Sequence, residues 1–333
     1  MSIGTPKRPQ RLIADIGGTH ARFALCSSIL DISHVCVLAV ADFASITEAI
    51  RHYLTSHGNP AIREAAIGIA NPVLGDHIRM TNFPWEFSIE AARRTLGLNS
   101  LHVINDFTAL ALALPHLDAA DLIPVGGGRS VPGTPLGVLG PGTGLGVSAL
   151  VPTQSGGWAP LAAEGGHVSF APADDRELIL WRAAREAYGH VSMERMLSGP
   201  GLEFIYKTLC HHHAREPRLQ TATAISRAGM DGADDLSRSA LDAFCAILGT
   251  AASDLAVTLG ARAGIYIGGG IVPKLGSYFL QSPFRQRFED KGRFSAYLAA
   301  IPVFVITDNH PALLGAAAYL DAYPNDQSLA GKN

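Results

Sequence analysis

Cysteine is scarce in this sequence of 333 residues, and its four cysteines form no recognisable motif. No two of them are separated by two residues, which excludes the paired spacing of zinc knuckles and of thioredoxin-like redox sites. Cys26 and Cys245 lie in apolar segments, where a buried thiol is the simplest interpretation. This cysteine usage is typical of a protein from a reducing compartment.

Long hydrophobic runs and a surplus of one charge are also missing. No run reaches the roughly 18 consecutive apolar residues of a transmembrane helix. No apolar stretch of signal-peptide type follows Lys7 and Arg8 near the N-terminus. We therefore expect a cytoplasmic protein with no membrane partner. The formal net charge is −3 and lysine and arginine are scattered, which argues against nucleic acid as a partner.

The sequence does contain enough apolar residues for a large core, being 47% hydrophobic and 17% charged. A chain of this length is long for one domain and comfortable for two. Strand patterns alternate with helical patterns in the first part of the chain, which predicts a largely parallel sheet with helices on both faces. The segment 124–135, rich in glycine and proline, indicates a loop at a domain boundary.

A glycine turn follows the first apolar strand. Strand Leu12–Ile16 carries Asp15 near its end, Gly17–Thr19 forms the turn, and a second strand, Ala21–Leu25, follows at once. Such a turn lets backbone N–H groups approach a polyphosphate, and the acid can hold a cation that neutralises the phosphates. The common phosphate loops open a helix instead. An ordinary hairpin with a buried aspartate therefore fits this segment equally well.

The second half of the chain begins with a similar arrangement. The segment Leu136–Leu139 predicts a strand, Gly140–Gly144 a turn, and Leu145–Val151 another strand. Two glycine-threonine hairpins predict an internally duplicated fold with a ligand between the halves. Strand Gly264–Ile267 later leads into the triple glycine Gly268–Gly270, a floor that other groups can approach closely.

Asn105 and Asp106 lie where the short strand Leu101–Ile104 ends and the helical pattern Thr108–Leu114 begins. Asp106 could be a helix N-cap, and the dipeptide alone favours that interpretation. It could also be a general base that accepts a hydroxyl proton during phosphoryl transfer. Ligands bind at strand ends in open α/β sheets, which is consistent with the second interpretation.

Two further acids and a histidine adjoin glycine turns. In Glu164-Gly165-Gly166-His167, the carboxylate suits vicinal hydroxyl groups and the imidazole can donate or accept a hydrogen bond. A plain turn with exposed polar side chains is the alternative. Glu194 precedes another glycine-proline turn, and taken alone it predicts a residue on a helix surface.

Taken together, these segments resemble the bacterial-type, zinc-free glucokinase family of the actin-like, hexokinase and heat-shock ATPase superfamily. The resemblance extends from about Leu12 to Tyr319. It implies an α/β, two-domain actin-like ATPase (ribonuclease H-like) fold with a ligand cleft between the domains. The implied small α/β domain is 1–118 plus 309–333, and the large α/β domain is 119–308. The segments that carry the resemblance are Asp15–Thr19, Ile104–Ala109, Gly142–Gly146, Glu164–Val168, Leu197–Gly201, Gly268–Pro273 and Glu289–Phe294.

The resemblance also implies a reaction, ATP-dependent phosphorylation of glucose to glucose 6-phosphate, and a homodimer. Asp106 would be the catalytic base. The groups that would hold the sugar hydroxyls are Asn105, Asp106, Glu164, His167 and Glu194. The residues that would bind ATP are Asp15, Gly17, Gly18, Thr19, Gly142, Thr143, Gly144, Gly269 and Gly270. Asp15 would also lie near Mg²⁺, in contact with it through water.

Two positions depart from the family pattern. His20 occupies a place where the family usually has asparagine, so affinity for the sugar or a phosphate could differ. Pro141 replaces the small residue usual in the second phosphate loop and would stiffen that turn. Neither change removes a group that the chemistry needs.

Three alternatives remain open at this point. The substrate could be mannose, fructose or an amino sugar, because the sequence does not show how hydroxyl stereochemistry is recognised. A sugar-sensing repressor would need an N-terminal helix-turn-helix, for which ten residues before the first strand leave no room. A non-catalytic ATPase scaffold would have no use for Glu164 and His167 beside Asp106.

Overall fold

The computed structural model describes residues 9–81 and 83–323, which form two compact units. The first unit runs to Leu117 and takes up the chain again from Asp308, and the second is Asp118–Thr307. Each unit combines a β-sheet with helices. Strands and helices are numbered along the chain.

The first unit contains a five-stranded sheet in the order β3-β2-β1-β4-β7. Strands β1, β2 and β3 form an antiparallel meander, whereas β4 is parallel to β1 and β7 is parallel to β4. Strands β5 and β6 form a separate antiparallel hairpin. The strands are β1 (Arg11–Ile16), β2 (His20–Ser28), β3 (Asp31–Ala39), β4 (Glu64–Ile69), β5 (His77–Arg79), β6 (Glu86–Ser88) and β7 (Ser100–Asn105).

Side-chain caps begin the helices Ile46–Ser56 and Ile89–Leu96 of this unit. Ser45 accepts a hydrogen bond from the backbone N–H of Glu48, and Ser88 accepts one from that of Ala91. The α-helices are α1 (Ile46–Ser56), α2 (Ile89–Leu96), α3 (Asp106–Ala113) and α13 (Pro311–Ala322). Two short 3-10 helices are Val40–Asp42 and Leu114–His116.

Helix α13 returns to the first unit from the far end of the chain. It packs on α3 and on strands β1, β2 and β4. Gly315 of α13 lies directly against the backbone carbonyl of Ala109 in α3, where a β-carbon would overlap with that carbonyl. The last helix of the described chain thus completes the first unit.

The second unit contains a six-stranded sheet in the order β11-β10-β9-β12-β13-β8. Its first five strands repeat the arrangement of the first unit: an antiparallel meander followed by two parallel strands. This repetition confirms the expected duplication. The strands are β8 (Leu122–Pro124), β9 (Leu136–Pro141), β10 (Leu145–Pro152), β11 (Trp158–Ala163), β12 (Gly264–Ile267) and β13 (Val303–Ile306).

Helices make up much of the second unit. They are α4 (Asp175–Tyr188), α5 (Met193–Met196), α6 (Gly199–His212), α7 (Ala222–Asp231), α8 (Asp235–Leu259), α9 (Val272–Leu275), α10 (Ser277–Gln281), α11 (Phe284–Glu289) and α12 (Ser295–Ala299). The short 3-10 helices are Ala119–Asp121, Gly165–His167 and Gly292–Phe294.

Helix α8 is the central helix of the second unit's core. Among the described residues it is the helix long and apolar enough to cross a membrane, by length and composition alone. Of its most apolar stretch, 72% is buried inside the protein. Its buried side chains belong to the cluster that also includes residues of α6, α11 and β12. This segment is therefore a core helix.

The structure also corrects the sequence-based elements. Strand β9 continues through Gly140 and Pro141, which pair with Gly146 and Leu145, so the turn is limited to Gly142–Gly144. Strands β8 and β11 were not predicted. Their segments are short or partly exposed and lie at the two edges of the sheet, so the buried apolar pattern of a central strand is missing.

Candidate active site

Two candidate acids lie at the same edge of the first unit's sheet. Strands β1, β4 and β7 run parallel, and Asp15 of β1 is in register with Gly68 of β4, which is in register with Ile104 of β7. A β-carbon on Gly68 would lie 3.7 Å from the Cα of Asp106. Since neighbouring strands are about 4.8 Å apart, the backbones of β1 and β7 are about 10 Å apart at this edge.

The first glycine turn is closed by backbone hydrogen bonds. The N–H of Gly17 donates to the carbonyl of His20 at 3.0 Å, and the carbonyl of Thr19 accepts from the N–H of Val40 at 3.0 Å. Gly17 and Gly18 are half-buried, whereas Thr19 and His20 are exposed. The hairpin predicted here is confirmed, and its outer atoms are accessible to a ligand.

Asp15 is paired with a guanidinium group that sequence reasoning missed. Arg22 is its cross-strand partner, and Nη1 of Arg22 donates to Oδ2 of Asp15 at 3.1 Å. Burial raises the pKa of Asp15 above its ordinary value, while Arg22 and, less strongly, His310 act in the opposite direction. The antiparallel register pairs Ile16 with Ala21 and so places residues 15 and 22 opposite each other, and counting back from the predicted ends of the two strands could have identified Arg22.

Asn105, and not Asp106, caps helix α3. Oδ1 of Asn105 accepts hydrogen bonds from the N–H groups of Phe107 at 2.9 Å and Thr108 at 3.1 Å. Its Nδ2 donates to the carbonyl of Asn71 at 3.5 Å. Asp106 is the first residue of the helix. The interpretation of Asp106 as the cap, which the dipeptide alone favoured, is therefore wrong.

The carboxylate of Asp106 stands where a helix begins. Its Oδ1 accepts a hydrogen bond from the N–H of Phe107 at 2.9 Å, and the residue is half-buried. Backbone N–H groups in a helix's first turn favour a nearby negative charge. This position suits a carboxylate that must stay ionised in order to accept a proton.

Two glycine segments of the second unit meet at the ends of the parallel strands β9 and β12. A β-carbon on Gly269, which has a φ of +77°, would lie 2.5 Å from the carbonyl oxygen of Pro141. A β-carbon on Gly140 would likewise lie 2.5 Å from the backbone of Gly268. Gly269 and Gly270 are exposed. The lack of side chains thus lets the two segments touch and leaves a bare backbone surface that a nucleotide fits.

The turn Gly142–Gly144 is held from two directions. The N–H of Gly142 donates to the carbonyl of Gly144 at 2.8 Å, and the carbonyl of Gly142 accepts from the N–H of Gly199 at 2.8 Å. Thr143 is exposed at its tip. Pro141 does not lie in this turn, contrary to expectation: it ends β9, where its carbonyl accepts from the N–H of Ile271 at 3.3 Å.

Glu164 and His167 flank the 3-10 helix Gly165–His167. The N–H of His167 donates to the carbonyl of Glu164 at 3.0 Å, and both side chains are exposed. β-Carbons on Gly165 and Gly166 would collide with Val147 and Leu145 of strand β10. These glycines therefore let the turn lie flat on the start of β10, next to the second glycine turn.

Glu194 is not the helix surface residue that its own segment predicts. Its Oε2 accepts a hydrogen bond from the N–H of Leu145 at 2.9 Å, and the residue is half-buried. A β-carbon on Gly144 would lie 2.5 Å from the same oxygen. Glu194 therefore lies on the second glycine turn, close to the turn that carries Glu164 and His167.

Comparison with known proteins places the chain in a family. The sequence model of the glucokinase family matches residues 12–323. The chain belongs to the glucokinase family. The glucokinase of Chromobacterium violaceum is 55% identical over 320 residues, which cover 96% of this chain and 92% of that protein. It follows that the chain is an ATP-dependent hexose kinase, as expected.

Solved structures agree with this assignment. The crystal structure of a glucokinase from an Antarctic psychrotroph has a TM-score of 0.86 and 36% identity, covering 94% of this chain and 99% of that one. A glucokinase of the ROK family from Streptomyces griseus, in complex with glucose and AMPPNP, has a TM-score of 0.64 and 19% identity, covering 94% and 100%. The expected two-domain actin-like ATPase fold is confirmed.

Proposed function

We propose that this kinase transfers the γ-phosphoryl group of ATP to the 6-hydroxyl of glucose, with Asp106 as the general base. Membership of the glucokinase family accounts for ATP-dependent glucose phosphorylation. The observation that supports the role of Asp106 is that its neighbour Asn105 provides the N-cap of α3. Because Asn105 caps the helix, capping does not explain the carboxylate that follows it.

Asp106 would accept the proton of the sugar hydroxyl. As the bond between O6 and the γ-phosphorus forms, the bond between that phosphorus and the β–γ bridging oxygen breaks and ADP leaves. The hydroxyl proton passes to the carboxylate of Asp106. A carboxylate suits this role, since the transition state of phosphoryl transfer is loose and the proton is lost late.

The remaining sugar hydroxyls would be bound by Asn105, Glu164, His167 and Glu194. Oδ1 of Asn105 accepts the capping hydrogen bonds, so its Nδ2 group would donate to a sugar oxygen. Glu164 would accept hydrogen bonds from vicinal hydroxyls, and His167 can donate or accept one. Two observations support this assignment. The side chains of Glu164 and His167 are exposed, and Glu194 is hydrogen-bonded to Leu145, the first residue of β10, on which their turn packs.

The two glycine turns would bind the phosphates of ATP through backbone N–H groups. The first turn comprises Gly17, Gly18 and Thr19, and the second comprises Gly142, Thr143 and Gly144. Gly269 and Gly270 would lie against the adenosine, on the bare surface that their missing side chains leave. Asp15 would hold Mg²⁺ through water, with ATP phosphates as further ligands, so that the ion neutralises charge on the transferring group.

Cytoplasmic localisation and a homodimer also belong to this proposal. The first rests on the reduced cysteines, all four of which are free, and the second on the family resemblance alone. Size-exclusion chromatography with light scattering would test the homodimer, for which we expect twice the chain mass of 35.1 kDa.

The substrate is tested by initial rates with Mg-ATP and glucose, mannose, fructose, glucosamine or N-acetylglucosamine. We expect kcat/KM to be highest for glucose and ATP hydrolysis without sugar to be slow. A higher kcat/KM for another hexose would contradict glucose as the substrate and leave the kinase mechanism intact. ATP hydrolysis that ignores every sugar would contradict the mechanism.

The catalytic base is tested by Asp106→Asn. Loss of a general base lowers turnover by about 10²–10⁴-fold, and we expect that loss in kcat with glucose binding, measured by calorimetry, largely kept. Asp175→Asn is the matched control, because Asp175 is also the first residue of a helix, α4, that a neighbouring side chain caps. Unchanged kcat in the Asp106 variant, or an equal loss in the control, would remove Asp106 from this role.

A further inference from the structure

The Glu194 carboxylate lies against the second glycine turn of the second unit. Its Oε2 accepts a hydrogen bond from the N–H of Leu145 at 2.9 Å and would lie 2.5 Å from a β-carbon on Gly144. Both of those residues belong to the second glycine turn or to the strand that follows it directly. Its carboxylate is also one of the groups assigned above to the sugar hydroxyls.

Glu194 is held in this position by its own backbone and by the residues that follow it. Its carbonyl accepts a hydrogen bond from Oγ of Ser198 at 2.9 Å, and Ser198 caps helix α6. The next residue, Gly199, donates its N–H to the carbonyl of Gly142 at 2.8 Å. The segment 194–199 is thus hydrogen-bonded to both ends of the glycine turn. A displacement of Glu194 would therefore also displace the backbone of the turn.

The contact with Leu145 conflicts with phosphate binding. The N–H of Leu145 faces the carboxylate, which is itself an anion placed against Gly144. A phosphate group that approaches this turn therefore meets a like charge, which disfavours its binding. Sugar hydroxyls that donate to the carboxylate would spread its charge and compete with Leu145 for its lone pairs.

We propose that Glu194 couples the two substrates: a bound sugar loosens the contact between its carboxylate and Leu145 and so raises the affinity of the second glycine turn for the phosphates of ATP. This inference rests on the proposed sugar contact of Glu194. By linkage, ATP must raise the affinity for sugar by the same factor. The device would also make the enzyme bind ATP poorly when no acceptor hydroxyl other than water is present.

The test is the dissociation constant of AMPPNP with Mg²⁺, measured by calorimetry with and without saturating glucose. In the parent enzyme we expect glucose to tighten AMPPNP binding by about 5-fold or more, the lower end of usual coupling. Glu194→Gln keeps the shape and an acceptor oxygen but removes the charge. We expect that variant to bind AMPPNP more tightly than the parent without sugar, and the effect of glucose to shrink towards 1-fold.

Two further variants keep the test decisive. Glu186→Gln changes an exposed carboxylate on α4 and should leave both dissociation constants unchanged. If Glu194→Gln does not fold, as judged by circular dichroism, Glu194→Asp serves instead. Its shorter side chain withdraws the carboxylate from Leu145, so the effect of glucose should again shrink.

The outcomes separate this inference from the proposed function. The inference would be overturned if glucose did not change the dissociation constant of AMPPNP in the parent enzyme. It would also be overturned if glucose changed that constant as much in Glu194→Gln as in the parent. If that variant still has a raised dissociation constant for glucose, the proposed sugar contact stands. If neither glucose nor AMPPNP binding changes in the variant, both the coupling and the sugar contact of Glu194 are wrong.

Discussion

Two adjacent side chains at the start of α3 occupy different positions in the helix. Asn105 uses one amide oxygen to accept two backbone N–H groups, which leaves its amide nitrogen for other partners such as Asn71. Asp106 follows as the first helical residue. The capping by Asn105 and the sugar contact proposed for its amide nitrogen can be tested separately. Aspartate caps a helix about as well as asparagine but has no side-chain N–H donor.

We therefore expect Asn105→Asp to keep stability and lose sugar affinity. Its free energy of unfolding in urea should stay within about 0.5 kcal/mol of the parent's. The KM for glucose should rise at least about tenfold, since a lost hydrogen bond of about 1.5 kcal/mol corresponds to that factor. Asn105→Ala should raise the KM and also lose about 1 kcal/mol of stability. A parental KM in the aspartate variant would show that the amide does not contact the sugar.

Residues whose roles depend on local geometry could be predicted, and residues whose roles depend on distant partners could not. The turn at Gly17–Thr19 follows from a few neighbouring residues, and the structure confirms that hairpin. Glu194 meets Leu145 across 49 residues of sequence. Its own segment is that of a short surface helix, so nothing in the local pattern indicates a contact with a strand.

At the scale of elements, the packing of α13 on α3 sets the position of the proposed base. Gly315 permits the close approach, because its α-carbon faces the carbonyl of Ala109. Ala109 lies one turn after Asp106 in the same helix. Any change that separates the two helices should therefore displace Asp106.

Gly315→Ala tests this arrangement. Overpacking typically costs about 1–3 kcal/mol, and a backbone carbonyl cannot rotate away, so we expect lower stability although alanine favours a helix by about 1 kcal/mol over glycine. We also expect kcat to fall by about 10–100-fold, since a small misplacement of a catalytic group is costly. The control Ala322→Gly lies at the exposed end of α13 and should leave kcat unchanged. A parental kcat in Gly315→Ala would argue against this role of the helix contact.

Helices α4 and α11 are joined by a buried ion pair. Nη1 of Arg287 donates to Oε1 of Glu177 at 2.6 Å, and Glu177 is 0% exposed. Nη2 of Arg287 donates to Asp174 at 2.8 Å, and the N–H of Ala173 donates to Glu177 at 2.8 Å. The Glu177 carboxylate is thus held by a guanidinium group of α11 and by a backbone N–H of the segment just before α4.

Arg287→Met should destabilise the protein strongly. Removing one partner of a buried ion pair costs about 3–5 kcal/mol, because the other charge is left without compensation. The control Arg227→Ala breaks an exposed pair with Asp231, which should change stability by no more than about 0.5 kcal/mol. Urea unfolding followed by circular dichroism measures both. If both variants lost the same free energy of unfolding, the burial of the Arg287 pair would not increase its contribution to stability.

Central elements were easier to predict than edge elements. The strands Leu136–Pro141 and Gly264–Ile267 are buried throughout and have continuous apolar sequences. Strand β11 contains Pro160 and exposes Leu161, Ala162 and Ala163, so it lacks both the buried run and the alternation of a typical strand. Its place in the meander is set by pairing with β10, a tertiary contact.

For the whole molecule, the sequence predicted the fold class and the repeated sheet, because both follow from the order of elements and from family resemblance. The second unit is continuous in sequence, from Asp118 to Thr307, and contains its entire six-stranded sheet and its own core cluster. The first unit is completed only by residues from Asp308 onwards. The two repeats therefore share a sheet topology, but one is a single segment of the chain and the other is built from two.

We expect a fragment of residues 118–307 to fold alone. It should show a helical circular dichroism spectrum and one cooperative thermal transition. A matched fragment that ends at Ala300 lacks β13, which lies between β12 and β8, and should show no such transition. Absence of a transition in the longer fragment would mean that the second unit needs the first in order to fold.

Because α13 belongs to the first unit, that unit cannot be completed during translation until α13 has been synthesised. The chain between α3 and α13 is almost 200 residues long, which takes roughly 10–40 seconds to translate at about 5–20 residues per second. Throughout that interval the nascent first unit exposes the apolar faces of β1, β4 and α3 that α13 later covers. The half of the enzyme that is made first is therefore completed last, and a ribosome that stalls before α13 releases a chain whose proposed base has no finished helix pair to hold it.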